Sequence, residues 1–402
     1  MSAIRMVAVA AWAAGAVVPA CAAGAQTLST LYSFAGGTDG SSPYPGLIKA
    51  GGTLFGTTMF GGSTNCPVGC GIVYDVTPAG TEYVLHSFTG GSDGANPGAN
   101  LINVRGSLYG TTASGGDSRC NKPRGCGTVY SVGPEGFEKV LYAFKNAGDG
   151  RYPEAGLTNL GHTLYGTTTQ GGAYGRGTVF SVTLAGDEKI VYSFKGGTDG
   201  SYPEATLTNV GGILFGTTTN GGGGKCAHGC GTVFTVTPAG VETVVHAFTG
   251  KDGAYPGERL IDVGGTLYGT TGFGGGLGCS TDARDSGCGT IFSMTSAGAE
   301  KVLHKFAGGA DGANPYGLTY DRGTLFGTTV NGGGTGCYGF GCGTVFKVAG
   351  SRSPERYSLL SSFTGGSAAA NPYGLVHLGH SLYGTSLSGG AFGDGAVFQF
   401  TP

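Results

Sequence analysis

Glu154 and Glu204 occupy the same place in two copies of one phrase, Tyr152-Pro153-Glu154-Ala155 and Tyr202-Pro203-Glu204-Ala205. A third carboxylate follows in Tyr255-Pro256-Gly257-Glu258-Arg259. Two carboxyl groups can cleave a glycosidic bond when they stand about 5 to 10 Å apart and the surroundings keep one of them protonated. Alternation along a strand would turn Glu258, displaced by one residue, to the other side of its chain. In three further copies a tyrosine stands in the carboxylate's place, as Ser42-Pro43-Tyr44, Asn314-Pro315-Tyr316 and Asn371-Pro372-Tyr373, while Asn96-Pro97-Gly98 carries neither. Tyrosine faces near carboxylates suit carbohydrate, stacking on a sugar ring and accepting its hydroxyl hydrogens. His228, with Lys225 close by and set between Cys226 and Cys230, is a further acid or base candidate. His86, His246 and His304 instead take a position that Tyr142 and Tyr192 fill elsewhere, which marks them as structural. The sequence shows no nucleophilic triad, phosphate-binding glycine loop or metal-ligand set, and the Gly221 to Gly224 run is a turn that precedes no helix. No cofactor or metal is expected.

Ten cysteines form five close pairs: Cys66 and Cys70, Cys120 and Cys126, Cys226 and Cys230, Cys279 and Cys288, Cys337 and Cys342. Two copies of the same loop, around Tyr174-Gly175-Arg176 and Phe392-Gly393-Asp394, lack both members together, so the pairs are predicted to be local disulfides. Structural zinc needs four ligands, and each pair sits alone in its own unit.

The elements that must hold these residues repeat. A short strand of the type Thr-Leu-Tyr-Gly-Thr-Thr returns seven times, its glycine at Gly56, Gly110, Gly166, Gly216, Gly269, Gly327 and Gly384, with spacings between 50 and 58 residues. That period belongs to propeller blades, and units so short must stack to bury their apolar faces. The third unit reads as four strands: Gly156 to Leu160, Thr163 to Thr168, Thr178 to Thr183 and Lys189 to Phe194. Leu164 and Tyr165, adjacent and both large, require both faces of a blade to be buried, and Gly166 is expected to leave room for an aromatic of the next blade. The last unit stops after its third strand, Ala396 to Thr401, while residues 27–34 form a fourth-type strand with no unit before it. The spare strand is predicted to complete the seventh blade and close the ring; an open solenoid would need polar caps instead. The loops between second and third strands and the crossovers between blades then share one face. The crossover aspartates Asp39, Asp93, Asp149, Asp199, Asp252 and Asp311 are expected to form turns rather than hold calcium.

Glycine makes up 86 of the 402 residues and charged residues only 11%. Set between aromatic and β-branched strands, the glycines are turns, not disorder. A formal charge of -2 supplies no basic field, which argues against a nucleic acid partner. Residues 1–25 read as a secretory signal peptide, with Arg5, an apolar run from Met6 to Val18, and Ala23-Gly24-Ala25 before the cleavage point. Cys21 offers an alternative, lipid attachment, although Val18-Pro19-Ala20 fits that recognition pattern poorly. The apolar run is shorter than a membrane span, and none follows.

The recurring Leu-Tyr-Gly-Thr-Thr, Gly-Gly, Gly-Thr-Val-Phe-Ser-Val-Thr and Val-Leu-Tyr-Ser-Phe pattern resembles the bacterial tandem repeat called GloVer, of the choice-of-anchor group. The resemblance implies a secreted or surface-anchored protein and brings no known active site. Some members end in an anchoring segment, whereas Thr401-Pro402 here follows directly on a strand, which argues against a covalent anchor. The reading is therefore an all-β protein, a signal peptide over 1–25 and a seven-bladed β-propeller over 26–402. It is expected to be secreted or periplasmic and to bind a ligand, glycan above all, at Tyr44, Tyr152, Glu154, Tyr202, Glu204, Tyr255, Glu258, Arg259, Tyr316 and Tyr373. The alternatives are a polysaccharide lyase or glycoside hydrolase using Glu154, Glu204 and His228, and a structural or protein-binding scaffold.

Overall fold

A computed structural model describes residues 26–44, 46–146, 148–276, 278–279, 287–349 and 356–402. The signal-peptide and Cys21 readings lie outside these residues. Seven antiparallel sheets follow one another along the chain, as repeated strands of this length with glycine turns require. In blade 3 the strands are Thr158–Leu160, Thr163–Thr168, Thr178–Thr183 and Glu188–Ser193, innermost to outermost. Blade 7 combines Ala369–Leu378, Ser381–Gly389 and Ala396–Thr401 with Thr27–Ser33, whose register runs from Thr27 opposite Thr401 to Ser33 opposite Ala396. The spare N-terminal strand is thus the outer strand of the last blade, and the ring is closed.

Adjacent blades meet through seven apolar clusters. Leu164 packs into the seam with blade 2 and Tyr165 into the seam with blade 4, which accounts for two large neighbours in one strand. In every seam the phenylalanine that ends one outer strand meets an aromatic on the third strand of the next blade. Phe194 and Phe234 lie 4.9 Å apart at 71°, and Phe34 meets Tyr74 at 5.0 Å across the closure. Edge-to-face geometry of this kind adds about 1 kcal/mol beyond burial.

The mid-strand glycine answers to its own blade, contrary to the expectation from sequence. A Cβ on Gly166 would stand 2.6 Å from Cζ of Phe180, its cross-strand partner, and 3.0 Å from Cδ2 of Leu157. The aromatic crosses over the glycine on its way to the neighbouring blade. The second threonine of the repeat is equally specific, since Thr168 shares a hydrogen bond with Thr178 at 2.8 Å and donates to the Gln170 carbonyl at 3.0 Å.

A second device joins blades on the loop face. The residue before each inner proline has a left-handed backbone, with φ of 55° to 59° at Ser42, Asn96, Tyr152, Tyr202, Tyr255, Asn314 and Asn371. Its amide donates to a carbonyl of the preceding blade at 2.8–3.1 Å. In five seams that carbonyl belongs to the second cysteine of the loop; in the two cysteine-free loops it belongs to Arg176 or Asp394. All five predicted disulfides are present, with Cα separations of 4.9–5.7 Å. They lie under the crossover, where a Cβ on Gly90 would come 2.6 Å from Cys66 Sγ. In the cysteine-free loops Arg176 lies against Gly196 and Asp394 against Gly36 in the same place. The crossover aspartates serve turns as expected: Asp199 accepts the Lys195 amide at 2.6 Å and the Tyr192 hydroxyl at 2.6 Å.

Asparagine tolerates the left-handed region, whereas tyrosine is strained there by roughly 1 kcal/mol or more. Asn96, Asn314 and Asn371 also donate their side chains to Met59, Gly272 and Val330 carbonyls of the preceding blade. Tyr202→Asn is therefore expected to raise stability by about 1 kcal/mol, read as a higher midpoint in denaturant. A lower midpoint would mean that the tyrosine ring contributes more than its backbone costs.

Candidate functional site

The inner segment of each blade runs from the proline to a leucine, and its length decides what reaches the channel. Blades 1 to 5 have three residues between the two, as in Pro203-Glu204-Ala205-Thr206-Leu207, and blades 6 and 7 have two, as in Pro315-Tyr316-Gly317-Leu318. With two residues the inner strand stays continuous, Ala313–Asp321 and Ala369–Leu378, with a bulge after Tyr316 and Tyr373. The third residue breaks it. In blades 2 to 5 a single bridge such as Ser201 to Asn220 is followed by a separate short strand such as Thr208–Val210.

Because that stretch is not strand, the alternation argument fails for Glu258. It reaches the same cavity as Glu154 and Glu204. This cavity, about 1300 Å³, is also lined by Tyr44, Tyr255, Arg259, Tyr316 and Tyr373. The tyrosines of blades 6, 7 and 1 and the carboxylates of blades 3, 4 and 5 share this one lining, and Tyr316 donates to Glu258. A smaller pocket of about 420 Å³ lies between Tyr152, Tyr202, Gln170, Arg124 and the same Glu154 and Glu204.

Three corrections follow. Tyr152 and Tyr202 line that side pocket and not the main cavity, and Asn121 of the blade 2 loop donates to the Tyr152 hydroxyl. Tyr44, Tyr316 and Tyr373 pack on one another, at 4.8 Å and 75°, 4.4 Å and 80°, and 6.1 Å and 59°, so their rings are not open platforms. His228 is exposed in its loop, lines neither pocket, and contributes only its backbone carbonyl to Gly221.

Burial first, and the neighbouring Glu204 second, push the Glu154 carboxyl up to about 7. Burial also raises Glu204 and Glu258; Glu258 additionally feels Glu204 and is partly relieved by a hydrogen bond from Tyr316. Arg259 is open to the solvent of the channel and has protein around it, and burial lowers its pKa. The wall therefore offers carboxyl groups that donate or accept according to pH, the guanidinium groups of Arg124 and Arg259 and several amides.

Sequence reasoning missed part of the lining. Met59, Phe60, Phe273 and Asn331 line the cavity, and Phe273 stays 42% exposed while meeting Tyr255 edge-on at 5.9 Å. The signal was available, because the dipeptide between Thr-Thr and Gly-Gly changes in every unit: Met59-Phe60, Ala113-Ser114, Thr169-Gln170, Thr219-Asn220, Gly272-Phe273, Val330-Asn331 and Leu387-Ser388. Asn100, from the plain blade 2, is a further lining residue.

Fold and site together define a closed, disulfide-stapled β-propeller with an asymmetric cavity at the loop end of its channel. The chain belongs to the Gloeobacter/Verrucomicrobia repeat family, whose model matches residues 13–228 and 119–282. No curated protein sequence matches it. Among solved structures it is similar to the GH74 enzyme of Niastella koreensis, at 14% identity and TM-score 0.56 over 93% of this chain and 53% of that one. A puromycin-hydrolysing peptidase of Mycobacterium tuberculosis is similar at 11% identity and TM-score 0.55 over 91% and 52%. The chain spans about half of each of these two proteins. A putative 6-phosphogluconolactonase of Bacteroides uniformis shares 13% identity and TM-score 0.51 over 85% and 89%. Identities this low speak for the fold alone.

Proposed function

We propose that this protein is an exported propeller that binds a glycan in the cavity at its loop face. The observation that carries the reading is the lining: three carboxylates on adjacent blades, Arg259 and amides such as Asn100 and Asn331, set beside Tyr255 and Phe273 on rigid backbone. Such a mixture of hydrogen-bonding groups and aromatic surface matches a ring with one polar rim and one apolar face. Strained left-handed tyrosines at Tyr152, Tyr202 and Tyr255, where asparagine serves three other blades, support a role for those rings beyond folding. Export is supported by the five disulfides and by the apolar run before residue 26. No helix among the described residues is long and apolar enough to cross a membrane.

The test is retention on a broad polysaccharide panel, followed by titration of the best oligosaccharide. Glu204→Gln with Tyr255→Ala is expected to weaken binding about tenfold or more, each lost contact contributing about 1 kcal/mol. Unchanged affinity would remove the cavity as the site.

A hydrolytic or eliminative reading rests on Glu154, held near neutrality beside Glu204 and so able to carry a proton. New reducing ends or unsaturated sugars in the same incubations would favour it; retention without products would exclude it. A protein-binding scaffold draws support from exposed loop-tip residues such as Tyr338, Phe340 and Phe392.

A further inference from the structure

Away from the channel, near the outer strands, five seams repeat one polar set. A tyrosine or histidine from one blade's outer strand, an aspartate from the crossover, and a glutamate from the next blade's outer strand come together. The sets are Tyr32, Asp39 and Glu82; His86, Asp93 and Glu138; Tyr142, Asp149 and Glu188; Tyr192, Asp199 and Glu242; and His246, Asp252 and Glu300. In the sixth seam Tyr357 replaces the glutamate and stacks on His304 at 3.7 Å. In the seventh all three positions change together, to Ser361, Ala368 and Leu28.

Within a set the donors go to the aspartate. Tyr32, Tyr142 and Tyr192 donate to it at 3.0, 2.7 and 2.6 Å, His246 stands 3.2 Å away, and backbone amides such as those of Ala35, Thr89 and Lys145 add to it. In all five glutamates Oε1 is buried with no hydrogen-bond partner. The aspartate collects the donors of its set, and the facing glutamate Oε1 is left buried without one, an arrangement that favours the protonated acid.

We infer that these seams form a proton-operated clamp, in which Glu82, Glu138, Glu188, Glu242 and Glu300 take up protons as the blades close and the ring loosens when they lose them. Burial, then the facing aspartates, hold Glu82, Glu138, Glu188 and Glu242 at about 7, and Glu300 is raised by burial too. Asp75 adds to the effect at Glu82; the hydroxyls of Tyr32, Tyr142 and Tyr192 oppose it at Glu82, Glu188 and Glu242, and Lys145, Lys195 and Lys305 oppose it less at Glu188, Glu242 and Glu300. His246 also opposes it at Glu300, and burial of His86, which lowers its pKa, resists protonation of the imidazole in the seam of Glu138. Groups whose folded pKa is raised contribute stability that is complete below the unfolded glutamate value and lost as pH rises through about 7. The clamp therefore suits mildly acidic surroundings.

The test is thermal unfolding of the intact, oxidised chain between about pH 5 and pH 8, with proton uptake on folding taken from the pH slope of the unfolding constant. The midpoint is expected to fall across this range, with about two or more protons taken up per chain near pH 6. Glu188→Gln with Glu242→Gln, neutral isosteres of the protonated acids, should remove part of that uptake and raise the midpoint at pH 8. A midpoint that stays level or rises, or an uptake unchanged in the double variant, would overturn the inference. Should the variant not fold, infrared titration of the chain carrying Glu154→Gln, Glu204→Gln and Glu258→Gln, which removes the raised carboxyls of the cavity, decides: protonated-carboxyl absorbance present at pH 6 and lost by pH 8 supports the clamp, and its absence at pH 6 refutes it.

Discussion

Removal of residues 26–34 is expected to abolish the monomeric folded state. The segment supplies the outer strand of blade 7, and its Leu28, Leu31, Tyr32 and Phe34 pack into the seams on both sides of that blade. Phe34 is fully buried and holds Tyr74 edge-on at 5.0 Å. At about 2 kcal/mol for the fully buried Phe34 and about 1 kcal/mol for each of the three half-buried side chains, the loss is about 5 kcal/mol before the strand's hydrogen bonds are considered. Whole-domain stabilities run from roughly 5 to 15 kcal/mol. The shortened chain also leaves Ala396–Thr401 as an unprotected edge at the ring's opening, which invites pairing between molecules. Size-exclusion chromatography should show loss of monomer, and a synthetic peptide of residues 26–34 added in trans should restore part of it. A monomer with an unchanged melting temperature would disprove closure by this strand.

The second large effect is expected from a single methyl group. Gly216 lies between Phe234 and Leu207, and a Cβ there would come 2.5 Å from the ring and 2.7 Å from the leucine. Both neighbours are fully buried, so neither can move into space. The backbone of Gly216 is not among those with positive φ, which makes the penalty of Gly216→Ala purely one of volume. Overpacking of this order costs about 3 kcal/mol. Phe234→Leu in the same chain should recover part of the loss, a non-additivity that urea denaturation of the four species can measure. Equal losses in the single and the double variant would show that the ring is not what excludes the side chain.

The mid-strand glycine shows how far one chain's residues can be read. Its recurrence announced close packing, because nothing else keeps glycine inside a strand seven times, but the partner was misassigned. Sequence order cannot reveal that Phe180 crosses back over its own paired residue instead of arriving from a neighbour. The closed ring was legible because a missing strand at one end matched a spare strand at the other. That these positions vary from blade to blade was legible because Tyr44, Tyr316 and Tyr373 break the pattern of Glu154 and Glu204. What stayed hidden depends on backbone direction. Glu258 reaches the cavity since its segment leaves the sheet, the three channel tyrosines close on themselves, and His228 is exposed in its loop and lines neither pocket.

The left-handed residue and proline on one side, and the leucine on the other, pin each inner segment at both ends. Two or three positions per blade lie between them; the Ala155 carbonyl and the Gly156 amide there bond to Thr111 and Thr206 of the adjacent blades through backbone groups, while the side chains of Glu154 and Glu204 line the cavity. Seven short windows of this kind work like interchangeable panels around a fixed frame. Descendants of one ancestral ring could acquire new ligands by exchanging, adding or dropping a single residue in one panel, while the frame that carries it stays as it was.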